Sequence, residues 1–235
     1  MAETKKTLVV LQPSYLPWIG YFNQMCRSDI FVYYDDVQYD KHGWRNRNQI
    51  KTPTGTRWLT VPVRHHGLNH PPINEIRIES SSPWARKQIG TLRQFYSEAP
   101  HAKRYLLELE AILEKPWERL VDLNIAVIAW LAQAFRIERP LYFSSSLDVG
   151  GAKSERLVNL CQHFGATHYL SGNAARDYLE ESVFTKRGIQ VEWQDFVHPV
   201  YPQRYDDFKP YLSALDLLLN VGDESLPIIQ GQAGK

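Results

Sequence analysis

Cysteine is scarce in this chain, with only Cys26 and Cys161, far apart and in no CxxC or metal-like pair. That rules out a disulfide framework and a cysteine zinc knuckle, and leaves a reduced, cytoplasmic compartment as the expectation. Long apolar runs are missing too. The stretch Leu8-Val-Val-Leu11 behind Lys5-Lys6 is too short for the core of a signal peptide or for a membrane span. Nor is there an excess of one charge: 27 Lys and Arg stand against 26 Asp and Glu, a net charge of +1. Duplex DNA or an anionic membrane is therefore not an expected partner, and any anion must be met by a local cluster. Internal repeats and low-complexity tracts are absent. What the sequence does have is aromatic residues (7 Trp, 13 Tyr and 9 Phe), many set beside charges, a pairing that serves stacking and polar recognition as well as core packing.

The apolar pattern predicts an α/β fold. Thr7–Leu11 reads as a buried strand, Ile19 to Arg27 as a short helix and Ile30 to Tyr34 as a second strand. Strand, turn, helix, strand is the outline of a Rossmann-like βαβ unit with a parallel sheet. Arg57 to Val63 and Ile73 to Ile78 alternate like strands. From residue 84 to 135 the period becomes helical, giving a helical insertion in which Pro116 suits the first position of a third helix. Beyond it, Leu141 to Phe143, Thr167 to Leu170 and Gln190 to Phe196 read as strands. Ser154 reads as the cap of a helix closed by Gly165, and Ala174 to Leu179 and Tyr211 to Asn220 as further helices. The expectation is a single domain over residues 1–222 with a helical lobe at 84–135, followed by a flexible tail at 223–235.

Candidate site residues cluster early. In Gln12-Pro-Ser-Tyr-Leu-Pro-Trp-Ile-Gly-Tyr21 a strand feeds a helix N-terminus, where ligands of α/β sheets gather. Gln12, Tyr15, Trp18, Gly20 and Tyr21 are the candidates there, three of them rings that can stack on a flat group. The plain alternative is that they only shape a turn and cover the sheet. Asp35 and Asp36 end the second strand, where a carboxylate can hold a hydroxyl, an amine or Mg²⁺; Gln38 follows. Trp44, Arg45, Asn46, Arg47, Asn48 and Lys51 form a basic segment. On an extended chain Arg45 and Arg47 share a face and suit a phosphate or carboxylate. Ser171 and Asn173 lie in a second strand-to-helix turn. His65, His66 and His70 lack acidic or cysteine companions, so no metal site is expected.

Taken together, Gln12 to Phe22, Tyr34-Asp-Asp-Val-Gln-Tyr39, Trp44-Arg-Asn-Arg-Asn48, Trp58-Leu-Thr-Val-Pro62, Tyr169-Leu-Ser-Gly172 and Ser213-Ala-Leu-Asp216 resemble the WbqC-like family of bacterial proteins, from Leu8 to Gly222. The resemblance implies a cytoplasmic protein working beside other glycan-biosynthesis enzymes, such as those of O-antigen, with amino-acid or acyl decoration of amino sugars as the associated chemistry. At fold level the first unit is similar to nucleotidylyltransferases and pantothenate synthetases. Trp18-Ile-Gly-Tyr21 stands at the place of their HxGH motif but lacks both histidines, which shifts the expectation away from phosphoryl transfer. The resulting expectation is an amide-forming transferase or ligase joining an amino acid or acyl group to an amine, such as that of a nucleotide-linked amino sugar. Asp35, Asp36 and Arg47 would be catalytic and the other candidates would bind small-molecule substrate; the cofactor is left open, with ATP and a nucleotide-sugar as the candidates. A glycosyltransferase and a non-catalytic nucleotide- or sugar-binding scaffold are the competing readings.

Overall fold

Strands whose sequence is apolar on both faces belong in the middle of a covered sheet, and two such strands open this chain. The computed structural model describes residues 4–64 and 69–232. Its elements are β1 (Thr7–Leu11), α1 (Ile19–Arg27), β2 (Ile30–Tyr33), β3 (Arg47–Thr52), β4 (Gly55–Thr60), β5 (Val63–Arg64), β6 (Arg77–Ile78), α2 (Trp84–Tyr96), α3 (Ala102–Leu113), α4 (Leu120–Ala134) and β7 (Leu141–Phe143), followed by α5 (Lys153–Phe164), β8 (His168–Ser171), α6 (Glu181–Thr185), β9 (Gln190–Trp193), α7 (Ala214–Val221) and α8 (Ser225–Ile229).

The chain forms two compact units, each assembled from separate stretches of chain. The sheet unit comprises residues up to Gln12, Asn23–Asp35 and Arg139–Val197; the hairpin unit comprises Pro13–Phe22, Asp36–Glu138 and the chain from His198 onward. The sheet unit is α/β, with five strands in the order β7-β2-β1-β8-β9. Every pairing in it is parallel, β1 setting Leu8 beside Ile30 on one side and beside Tyr169 on the other. Leu8, Val10, Ile30, Val32 and Tyr169 form one core with Val158, Leu160 and Cys161 of α5 and Phe184 of α6. Helix α5 ends where Gly165 takes a left-handed φ of 60°, which glycine adopts without a Cβ penalty.

The hairpin unit contains the antiparallel pair β3–β4, the short pair β5–β6 and the helices α2, α3, α4, α7 and α8. The helices of the expected 84–135 insertion therefore belong to the same unit as the hairpin. Several local expectations change. Helix α4 starts at Leu120 rather than at Pro116, because the preceding residues stay extended and bond to the neighbouring chain: Ile78 N–H donates to Glu118 O at 2.8 Å and Leu120 N–H to Ile76 O at 2.9 Å. Ile73–Glu75 is a 3₁₀ turn, so only Arg77–Ile78 of the expected strand pairs. Ser154 lies inside α5, where its hydroxyl accepts from Glu180 N–H at 3.0 Å. The tail is not loose through Ile229. Helix α8 buries Ser225, Ile228 and Ile229.

Candidate functional site

In the sheet unit the chain reverses its winding direction at β1. From β1 it moves through β2 and β7 on one side and through β8 and β9 on the other. The crevice outside the carboxyl ends of β1 and β8 is therefore the topological switch point, where ligands of open α/β sheets bind. Gln12 follows β1 directly, Asp35 comes two residues after β2, and β8 ends at Ser171 with Asn173 just beyond. Four candidates widely separated in sequence thus meet along one edge of one sheet.

Side-chain amides furnish that edge. Gln194, the first residue past β9, donates its backbone N–H to Ser171 O at 2.8 Å. Its side-chain nitrogen donates to Asn23 Oδ1 at 3.1 Å and its Oε1 accepts from Gln24 Nε2 at 3.0 Å. All three amides are buried. Asn173 Oδ1 accepts from Asp195 N–H at 3.1 Å, while Arg176 donates to Asp195 at 3.0 Å and lies over the Trp193 ring. At the next strand end, Asp35 is buried and fully engaged by the turn after β7. Its Oδ1 accepts from the Ser144 hydroxyl at 3.0 Å and the Ser145 N–H at 2.9 Å, and its Oδ2 from the Ser145 hydroxyl at 2.6 Å.

The sequence passed over Gln194 because the expected strand ran on to Phe196; the strand stops at Trp193. Ser144 and Ser145 carried the same signal as Ser171, a polar turn after a strand. Neither cysteine offers a ready thiolate: burial pushes Cys161 up to about 12, and burial, opposed by Arg139, pushes Cys26 up to about 11.

The remaining candidates lie in the hairpin unit, where the Pro-aromatic loop and the Trp-Arg-Asn-Arg-Asn segment are knitted together. Arg45 donates to the Ser14 hydroxyl at 2.5 Å, Tyr15 N–H to Arg45 O at 3.1 Å, and Asn48 to Leu16 O at 2.7 Å. Asn46 donates to Val61 O at 2.9 Å. Tyr15 is wholly buried, its hydroxyl donating to Gln88 at 2.7 Å, and Tyr21 is buried as well. Trp18 stacks on His198 at 6.4 Å and leans on Tyr211 at 5.6 Å. A Cβ at Gly20 would lie 2.2 Å from the Trp18 ring, so only glycine lets the indole fold back. Asp36 is half-buried in the turn after β2, and Gln38 bonds His70 on the surface at 2.7 Å. His65 and His66 fall outside the described residues.

Lys51 is the surprise of this group. It is 2% exposed, and its ammonium donates to Tyr205 O at 3.1 Å. Around it Asp216 accepts from Tyr96 at 2.6 Å and Tyr201 at 2.9 Å, and Lys51 N–H donates to the Tyr96 hydroxyl at 2.9 Å. Burial holds the Asp216 carboxyl above the usual carboxylate range and the Lys51 amine below the usual lysine range.

Comparison with known proteins follows the same span. The model of the WbqC-like protein family matches residues 12–228. The chain belongs to that family. A Mycobacterium tuberculosis (strain ATCC 25618 / H37Rv) protein, "Uncharacterized protein Rv1507c", is 40% identical over 222 residues, covering 94% of this chain and 96% of that protein. No solved structure matches. As in this WbqC-like chain's sequence, so in its fold: among the described residues no helix is long and apolar enough to cross a membrane.

Proposed function

We propose that this WbqC-like protein is a transferase or ligase that forms an amide between an amino acid or acyl group and the amine of a small molecule, with a nucleotide-linked amino sugar as the substrate class. One observation carries the reading: Gln12, Asp35, Ser171 and Asn173, together with the Asn23–Gln24–Gln194 amides, line the carboxyl edge of a single parallel sheet. Side-chain amides donate and accept, as recognition of an amino acid's carboxylate and amine requires. In this reading the exposed Ser145 hydroxyl takes the proton of the attacking amine as its own proton passes to Asp35, 2.6 Å away. The nitrogen attacks the activated carbonyl carbon, the carbonyl oxygen takes up the negative charge, and the leaving group departs with its electron pair as the C=O bond re-forms. Arg47 and Asp36 are not required for this step.

The test combines purified protein with amino acids, ATP and nucleotide-linked amino sugars, followed by mass spectrometry of the products. A new amide is expected, with Asp35→Asn slowing its formation about 10²-fold or more while leaving the fold intact. No new amide across a broad panel, or Asp35→Asn as fast as wild type, overturns the proposal.

A further inference from the structure

The hairpin β3–β4 carries an aromatic shelf on its outer face. Trp58 pairs across the hairpin with Gln49, and Arg47 with Thr60, so these four side chains share one face. Trp44 packs on Trp58 with ring centroids 4.9 Å apart and planes at 43°, yet the two indoles remain 45% and 42% exposed. The Arg47 guanidinium lies over the Trp58 ring at 4.8 Å. It is fixed there: its Nε donates to Gly43 O at 3.3 Å and one terminal nitrogen to His42 O at 2.8 Å. Exposed Lys41 and His42 stand in the same turn.

This shelf offers π faces, N–H donors and positive charge. The side-chain carboxylate in the turn, Asp40, accepts from His42 N–H at 2.9 Å. A neutral sugar laid on this shelf would find acceptors in Gln49 and Thr60 but would leave the charge of the guanidinium unmatched. A flat heterocycle carrying an anion needs what the shelf supplies: a face to stack on and a guanidinium for its phosphates. A buried core does not need two half-exposed indoles, and exposed aromatic surface of this kind marks binding sites.

We infer that the Trp44–Trp58–Arg47 shelf is a nucleotide subsite, on which the base of a nucleoside diphosphate stacks while its phosphates meet Arg47. The inference goes beyond the amide-forming reading and is tested without turnover, so either can fail while the other stands.

The experiment is calorimetry and tryptophan-fluorescence titration of the full chain with UDP, ADP, inorganic pyrophosphate, glucose and glucuronate. UDP or ADP is expected to bind and quench fluorescence more strongly than pyrophosphate or either sugar. Trp44→Ala and Trp58→Ala each weaken that binding about tenfold or more, and Trp44→Phe retains most of it. Tighter binding of glucose or glucuronate than of either nucleotide overturns the inference. So does unchanged nucleotide affinity in the folded Trp44→Ala/Trp58→Ala double variant, or no nucleotide binding at all.

Discussion

The two units solve the burial problem by different means. The sheet unit packs strands of Leu, Val, Ile and Tyr on α5 and α6, and its buried Asp35, Asn23, Gln24 and Gln194 gather at the carboxyl edge of the sheet. The hairpin unit hides polar groups among its hairpin and helices, including Lys51, Asp216, Asn48 and Asn124, and bonds them to main-chain carbonyls and tyrosine hydroxyls. Strained backbone occurs in both units. Among the described residues, Leu16, His70, Arg136, Tyr205, Asp207 and Tyr211 have positive φ in the hairpin unit, against Lys153 and Asp195 in the sheet unit. Non-glycine residues rarely adopt that region, and such strain persists only where surrounding bonds over-determine it. The apolar core of the sheet unit is fixed by volume and the polar interior of the hairpin unit by directed bonds, so substitutions at the two places should respond differently.

The largest effect is expected from volume. Phe184 is fully buried and stacks on Tyr169 at 5.1 Å. Phe184→Ala should cost about 3–5 kcal/mol, read as a fall in the urea midpoint at unchanged m, and Phe184→Leu should recover much of it because volume is what the site lacks. In the hairpin unit Asn124 is fully buried and donates to Arg45 O at 2.8 Å and Pro13 O at 3.2 Å. Asn124→Ala should cost about 1–3 kcal/mol, and Asn124→Leu should recover none of it, since neither carbonyl regains the amide donor, although Arg45 O keeps the Tyr15 N–H. Recovery by Leu at both positions, in the same denaturation series, would erase the distinction between the units.

That distinction also accounts for what the sequence discloses. Apolar periodicity is written into residues 7–11, 19–27 and 30–33, so the βαβ start and its parallel sheet can be read directly. Asp35, Ser171 and Asn173 could be found because polar residues just past strand ends follow a rule of the fold class. The strand β3, Arg-Asn-Gln-Ile-Lys-Thr, hides its nature. Its buried positions include Asn48 and Lys51, which no hydrophobicity pattern marks as interior. Lys51 is inside because residue 205 supplies a carbonyl to its ammonium, and a partner so distant in sequence leaves no local trace. The same holds for Gln24 and Gln194, whose pairing spans 170 positions.

The smallest expected effect probes the buried polar group itself. Asp216 sits in the first turn of α7, whose N-cap Ser213 accepts from Leu215 N–H at 3.2 Å. Two influences favour its charge, the helix N-terminus and the Lys51 ammonium, along with hydrogen bonds from Tyr96 and Tyr201; burial opposes them and prevails. A carboxyl whose folded value is raised takes up a proton on folding. Its contribution to stability is complete below the usual carboxylate range and is lost as pH rises through the raised value. Lys51 runs the other way, since its lowered value favours the neutral amine in the fold and penalises its charge as pH falls. Asp216→Asn removes the first dependence and keeps an acceptor for one of the two tyrosines. Unfolding free energies of both proteins measured from pH 4 to pH 8 should show wild type losing ground to the variant as pH rises. The opposite slope would mean that Lys51, Tyr96, Tyr201 and the end of α7 outweigh desolvation, and that this unit stores its polar groups as a stabilised ion pair.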